Sequence, residues 1–235
     1  MPSIAEETHL HIGAIAYPRM DQMDLTGPFE VLSRLPNSSF HILWKDTTPF
    51  HDARGLTLAA DQTFEEAPAL DVLVVPGGPG QQDLMEEEVV LGFLRMQAEN
   101  ARYVLSVCTG ALLCGAAGLL RGVRATTHWT ARSVIPWFGA IPVNERVVID
   151  GKIITTAGVS AGIDGALRLA ALLRGDQAAQ QIQLYMEYAP EPPFTAGTPE
   201  TAPAEVLIAA RAAARRLTEA RFETARHLAQ GAAAK

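Results

Sequence analysis

A chain of 235 residues, 48% of them hydrophobic, can build one sizeable core and sits at the upper end of a single domain's range. Its formal net charge of −7 argues against nucleic acid as a partner, because neutralising phosphates needs a basic face. No apolar run is long enough to span a bilayer, and the polar, acidic start from Met1 to Glu7 lacks the blocks of a secretory leader. A cytoplasmic protein with no membrane partner is expected.

In chain order, His11–Tyr17 reads as a strand, and Gly27–Leu35 as a helix opened by Thr26-Gly27-Pro28, since proline is tolerated in a first helical turn. Phe40–Lys45 is a second strand, and Thr47–Phe64, with Gly55 in its middle, is a hairpin excursion. Val72–Val75 is a short buried strand ended by Pro76-Gly77-Gly78-Pro79-Gly80. Leu84–Asn100 is helical, Tyr103–Val107 is another buried strand, and Thr109–Leu120 another helix. Arg124–Thr127 is extended and Thr130–Phe138 helical. Arg146–Ile149 and Lys152–Thr156 flank Asp150-Gly151, a strong hairpin signal. Ala161–Arg174 and Gln177–Tyr188 are helices, Ala189–Pro203 is irregular, and Ala204–Gln230 has helical spacing. Continuous apolar strands alternating with helices predict an α/β fold: a mostly parallel central sheet with helices on both faces.

The richest segment is Tyr103–Ala111, where a buried strand runs into Cys108 and a helix starts at once. Such a turn is the cysteine counterpart of a nucleophile elbow and places the side chain at the carboxyl edge of the sheet. The following helix N-terminus favours the thiolate, the working nucleophile, and Gly110 gives room for close approach. The competing reading of Cys108 is a small buried hydrophobe. Cys114, in Leu112-Leu113-Cys114-Gly115, reads as core. The two cysteines should face apart, so no disulfide is expected, which suits a reducing compartment.

Two other loops should reach the same edge. Gly77 and Gly78 expose backbone N–H groups suited to an oxyanion, or else form a plain tight turn. Asp24 precedes the helix cap expected at Thr26, which leaves its carboxylate free to act as general acid or base. His128, in Ala125-Thr126-Thr127-His128-Trp129, is either the partner of a Cys/His pair or a structural histidine. No metal-ligand spacing, P-loop or dinucleotide fingerprint is present, so neither metal nor cofactor is expected.

Together, Ser106-Val107-Cys108-Thr109-Gly110, Val75-Pro76-Gly77-Gly78 and Ala125-Thr126-Thr127-His128-Trp129 resemble the DJ-1/PfpI superfamily, over about Ile12 to Tyr188. A narrower resemblance is to the isonitrile (cyclohexyl-isocyanide) hydratases of that superfamily. It rests on Leu25-Thr26-Gly27-Pro28 after an acidic residue, Ala101-Arg102-Tyr103-Val104, Glu145-Arg146-Val147-Val148, Ala161-Gly162-Ile163-Asp164, Glu187-Tyr188-Ala189-Pro190, Pro192-Pro193-Phe194 and Ala196-Gly197.

The resemblance implies a flavodoxin-like sandwich over residues 9–190 and a homodimer. Residues 1–8 are then a flexible N-terminus. Residues 191–235 are an irregular Pro-rich segment plus a C-terminal helix packed on the domain or in the dimer. It also implies catalysis by Cys108 as nucleophile and Asp24 as acid and base, with Thr109 tuning the site and the Val159 amide facing the sulfur. The activity implied is hydration of a small apolar isonitrile to an N-substituted formamide through a cysteine-bound thioimidate. The hydratases carry a run of glycines before the Ala-Gly-Ile-Asp helix; Thr155-Thr156-Ala157-Gly158-Val159-Ser160 stands here instead, a difference that bears on helix mobility and substrate range.

Two rivals stand beside this reading: a DJ-1-like glyoxalase, deglycase or redox-stress protein, and a Cys/His amidase or protease of the PfpI type. A ligand-sensing domain of an AraC-type regulator is set aside, because the chain after Pro203 is too short for paired helix-turn-helix units.

Overall fold

The computed structural model describes residues 4–233. In chain order the elements are β1 (Leu10–Ile15), α1 (Gln22–Leu32), β2 (Ser38–Trp44), β3 (Phe50–His51), β4 (Thr57–Leu58), β5 (Gln62–Thr63), β6 (Val72–Val75), α2 (Gln81–Leu84) and α3 (Glu88–Asn100). There follow β7 (Tyr103–Ser106), α4 (Gly110–Ala116), β8 (Arg124–Ala125), β9 (Ile141–Pro142), β10 (Val147–Asp150), β11 (Ile153–Thr156), α5 (Ala161–Arg174), α6 (Asp176–Tyr185) and α7 (Ala204–Ala233).

The main sheet has seven strands in the order β10-β11-β7-β6-β1-β2-β5. All neighbours run parallel except β10 and β11, joined by the expected hairpin. Every residue of β6 and β7 is buried, as continuous apolar strands covered on both faces must be. One helical layer contains α1, α5 and α6; another contains α3 and α4. This is the flavodoxin-like α/β sandwich that the sequence predicts. Among the described residues no helix is long and apolar enough to cross a membrane.

Several elements differ from the sequence reading, each for a local reason. Helix α1 starts at Gln22, not Gly27, because Asp21 caps it by accepting the Met23 N–H at 3.2 Å. Pro28 therefore lies inside the helix, where it offers no N–H to the Asp24 carbonyl. Packing overrides that loss: a side chain at Gly27 would sit 3.1 Å from Ile163 of α5. The helix expected from Leu84 is two helices, and Glu86-Glu87-Glu88 falls at the start of the second, where carboxylates are favoured. Residues 130–138 form two short 3₁₀ turns, Trp129–Ala131 and Ile135–Phe138, the second ended by Gly139 in the left-handed region. The excursion closes as the hairpin β3–β4, and β5 adds an edge strand to the main sheet.

Residues 1–3 of the expected flexible N-terminus lie outside the described residues. Residues 4–8 are tied down. Arg174, buried at the end of α5, donates to the carbonyls of Ile4, Ala5, Thr8, Pro36 and Asn37. The Ile4 N–H donates to the Leu173 carbonyl at 2.8 Å. The C-terminal α7 lies against the same domain, with Ala225 buried and the Phe222 ring edge-on to Trp137 at 5.7 Å.

Removing the Arg174 fork leaves several half-buried carbonyls without donors. Arg174→Met should lower unfolding free energy by about 2–3 kcal/mol, measured by urea denaturation. A loss indistinguishable from zero would mean that water replaces the guanidinium without cost.

Candidate active site

Four adjacent strands deliver the site. β11, β7, β6 and β1 are consecutive in the sheet, and the segments leaving their carboxyl ends carry Val159, Cys108, Gly77 and Asp24. Open parallel sheets bind ligands at this edge.

Cys108 stands at the sharpest turn. Its φ is +55°, in the left-handed region that a non-glycine residue enters at a cost on the order of 1–2 kcal/mol. Neighbouring groups hold it there. The Cys108 N–H donates to the Ala157 carbonyl at 3.0 Å, and its carbonyl accepts from Thr127 Oγ1 at 2.7 Å. The Thr-Thr-His motif thus clamps the elbow, and Thr126 adds an N–H to Thr155 Oγ1 at 2.9 Å. The loop after β6 presses on the elbow so closely that a side chain on Gly77 would meet the Thr109 nitrogen at 2.5 Å. Gly110 is equally constrained, 2.0 Å from the Val75 oxygen by the same construction.

The Cys108 residue is 5% exposed. The N–H groups of Thr109 and Val159 point at its sulfur and favour the thiolate. Burial first, and the Asp24 carboxylate second, outweigh them and push the thiol well above its usual range. The helix-terminus effect expected from the sequence is therefore not decisive in the free protein. Cys114 is fully buried inside α4, and burial raises its thiol to about 12.

Asp24 sits in the first turn of α1, fully buried, rather than in a loop before the helix. Its Oδ2 accepts the Gly77 N–H at 2.9 Å. Its Oδ1 has no hydrogen-bond partner among the described residues, and the Cys108 thiol is the other side chain that favours the charged carboxyl. Burial, followed by the negative charge of Asp21, lifts Asp24 from 3.8 to about 8, against the pull of the Gly77 and Cys108 hydrogen bonds. The upward direction follows the physics of an acid in an apolar site, but Asp21 rather than a thiolate is the charge that helps.

Of the two readings of Gly77 and Gly78, the free oxyanion cradle is not present, since both amides are engaged. The Gly77 N–H is consumed by Asp24, and the Gly78 N–H by Thr109 Oγ1 at 3.0 Å. Their work is to orient the carboxyl and the threonine. His128 makes no hydrogen bond to the Cys108 sulfur among the described residues. Its Nδ1 pairs with Thr130 Oγ1 at 2.8 Å, and burial lowers it to about 4, so it is neutral at physiological pH.

Two site residues escaped the sequence reading. Tyr17, at the end of β1, is fully buried and donates its hydroxyl to the Pro76 carbonyl at 2.8 Å. Arg221, from α7, is 4% exposed and donates to Gln81 Oε1 at 3.0 Å. Its place just past a buried apolar strand, at the carboxyl edge of the sheet, could have flagged Tyr17. Nothing local singles out one arginine in an Ala- and Arg-rich helix.

A cavity of about 500 Å³ opens beside the Ala157–Ser160 loop, lined by His128, Trp129, Arg132, Asn144, Arg146 and Val159 among others. Charged side chains share its walls. A groove of about 680 Å³ lies between Trp129 and α7, and neither it nor the cavity is lined by Cys108 or Asp24. Among the described residues no group of three or more His, Cys, Asp or Glu side chains is placed to hold a metal ion.

Known proteins share these features. The sequence profile of the DJ-1/PfpI family matches residues 12–172. The chain is 54% identical over 202 residues to the isonitrile hydratase of Pseudomonas putida, a match covering 86% of this chain and 89% of that enzyme. Among solved structures, a ThiJ/PfpI family protein from Pseudomonas syringae superposes with a TM-score of 0.91 at 38% identity, covering 96% of this chain and 97% of that one. Oxidised DJ-1 from Toxoplasma gondii shares the fold, with a TM-score of 0.68 at 21% identity over 77% of this chain and all of its own.

Burial of Asp24 has a stability signature with a definite sign. Its folded pKa lies above the unfolded one, so the folded state holds the extra proton between about pH 4 and pH 8 and loses stability as pH rises through that window. Asp24→Asn removes the penalty and keeps an oxygen for the Gly77 N–H. It should be more stable than the parent at pH 7 by roughly 1–4 kcal/mol, with the gain vanishing toward pH 4. Thermal melts of both proteins across this range check it; a constant difference at all pH values contradicts the assignment.

Proposed function

Because the chain belongs to the DJ-1/PfpI family, we propose that it hydrates isonitriles to N-substituted formamides, with Cys108 as nucleophile and Asp24 as acid and base. The observation that carries this reading is the fully buried Asp24 carboxyl facing the Cys108 elbow, lifted by burial to about 8. The similarity to the Pseudomonas putida enzyme supports the substrate class.

An isonitrile carbon needs a nucleophile and a proton on the same atom. With its proton released to solvent, the Cys108 thiolate attacks this carbon while the Asp24 carboxyl gives the carbon a proton, leaving a thioimidate on sulfur and a carboxylate on Asp24. Asp24 then takes a proton from water as the oxygen adds to the thioimidate carbon. The remaining hydroxyl proton passes to nitrogen, the carbon–sulfur bond breaks, and formamide leaves. The thiolate and the protonated carboxyl are restored. The Thr109 and Val159 N–H groups stabilise the sulfur as it regains charge.

The amidase alternative needs a base on Cys108; His128 gives its Nδ1 to Thr130 and is held neutral by burial. The glyoxalase alternative shares the nucleophile and is separated by substrate. A homodimer and a cytoplasmic setting complete the proposal; two free cysteines suit the latter.

The deciding assay measures formamide from cyclohexyl or para-nitrophenyl isocyanide against lactate from methylglyoxal. Efficient formamide production with little lactate is expected; the reverse overturns the reading. Asp24→Asn should lower kcat by roughly 10²–10⁴-fold while Cys108 remains open to alkylation. His128→Asn should keep most of the activity. A His128 variant as inactive as Cys108→Ala, in a folded protein, favours the amidase.

A further inference from the structure

Helix α7 carries five arginines along Ala204–Gly231, and four of them, Arg211, Arg215, Arg216 and Arg226, are exposed. Arg221 turns inward. Its Nε donates to Gln81 Oε1 at 3.0 Å, and its Nη2 lies 3.4 Å from the Gly78 carbonyl and 3.5 Å from Thr109 Oγ1. All three partners are neutral, and two of the contacts are long. Among the described residues Arg221 forms no salt bridge. The other buried arginine, Arg174, differs: it spreads its charge over five carbonyl oxygens. A buried cation without a counter-charge is costly, and the cost is recovered only when an anion forms beside it.

The ionisable groups around Arg221 are few. Cys108 and Tyr17 act on it, and it acts on His128, which is neutral. Tyr17 keeps its proton, because burial holds it well above its usual range and its hydroxyl is given to Pro76. The groups facing Cys108 are Asp24 and Asp21 from α1 and its cap, Tyr17 after β1, and Arg221 from α7. Asp24, Asp21 and Tyr17 each oppose a negative sulfur if charged. Arg221 is the cation of the set.

We propose that Arg221 is the counter-cation of the Cys108 thiolate, delivered by α7 from outside the stretch that the family profile matches. It is a positioning residue, acting through charge on the sulfur and through its contact with the Thr109 hydroxyl. It also gives the C-terminal helix a role: α7 completes the charge balance of the elbow. The solved Pseudomonas syringae relative covers enough of this chain to include part of α7, so the helix is not peculiar to this sequence. The inference rests on Cys108 as nucleophile, and its test reads the sulfur rather than turnover.

In a Cys114→Ala background Cys108 is the sole thiol, and its rate of carboxamidomethylation by iodoacetamide is followed against pH. Arg221→Met and Arg221→Gln should move the midpoint upward by roughly 1–3 pH units. Arg221→Lys, which keeps the charge, should recover most of that shift. Arg221→Gln keeps hydrogen-bonding capacity toward Gln81 and Thr109, so it carries the comparison if the methionine variant fails to fold. Folded neutral variants with the parent midpoint overturn the proposal and leave Arg221 as packing alone. So does a lysine variant shifted as far as the neutral ones, since a point charge would then be irrelevant. Loss of isonitrile turnover in the parent would refute the proposed substrate without moving this titration.

Discussion

A carboxyl group removed from water keeps its proton unless a cation or several donors hold its charge. Asp24 has a single N–H, from Gly77, and its remaining neighbour is a thiol. The rest of the site follows from that constraint. The carboxyl is an acid at neutral pH, and the atom beside it is a nucleophile. Their titrations are coupled, so neither can be read as a residue standing alone. Attack at one carbon with protonation of that same carbon needs this pairing, and a Cys/His arrangement supplies it less directly.

The arrangement is held against its own preferences. Cys108 occupies a left-handed backbone conformation, its thiol is pushed up by burial, and Asp24 carries a protonation state foreign to an aspartate in water. Rigid surroundings keep these costs in place. Thr127 and Ala157 clamp the elbow, Gly77 and Gly110 let two backbones touch, and the parallel strands beneath are buried at every residue. Active sites concentrate such local strain, and the sheet supplies the stability that tolerates it.

The fold was legible because its signals are local. Apolar runs such as Val72–Val75, too short for a helix and closed by Pro-Gly, read as buried strands, and Asp150-Gly151 between two such runs reads as a hairpin turn, so the sheet and its helices could be read in order. Cys108 was legible for the same reason, because strand, cysteine and helix start are contiguous. Asp24 was found by type but misplaced, since Asp21 caps α1 and carries Asp24 into the helix. The Gly77 and Gly78 amides were read as free because their partners, Asp24 and Thr109, come from other elements. Arg221 was invisible: its importance comes from long-range packing of α7 on the elbow, and no spacing along the helix encodes which arginine turns inward. The polar walls of the cavity are also assembled from distant loops.

The most direct measurement is the protonation state of Asp24 itself, read by infrared difference spectroscopy between the parent protein and Asp24→Asn. A single carbonyl band of a buried carboxylic acid should be present at pH 7, absent from the asparagine variant, and lost as pH rises through about 8. A carboxylate signature at pH 7, with no acid band down to the ordinary range of aspartate, would contradict the protonated carboxyl on which the mechanism depends.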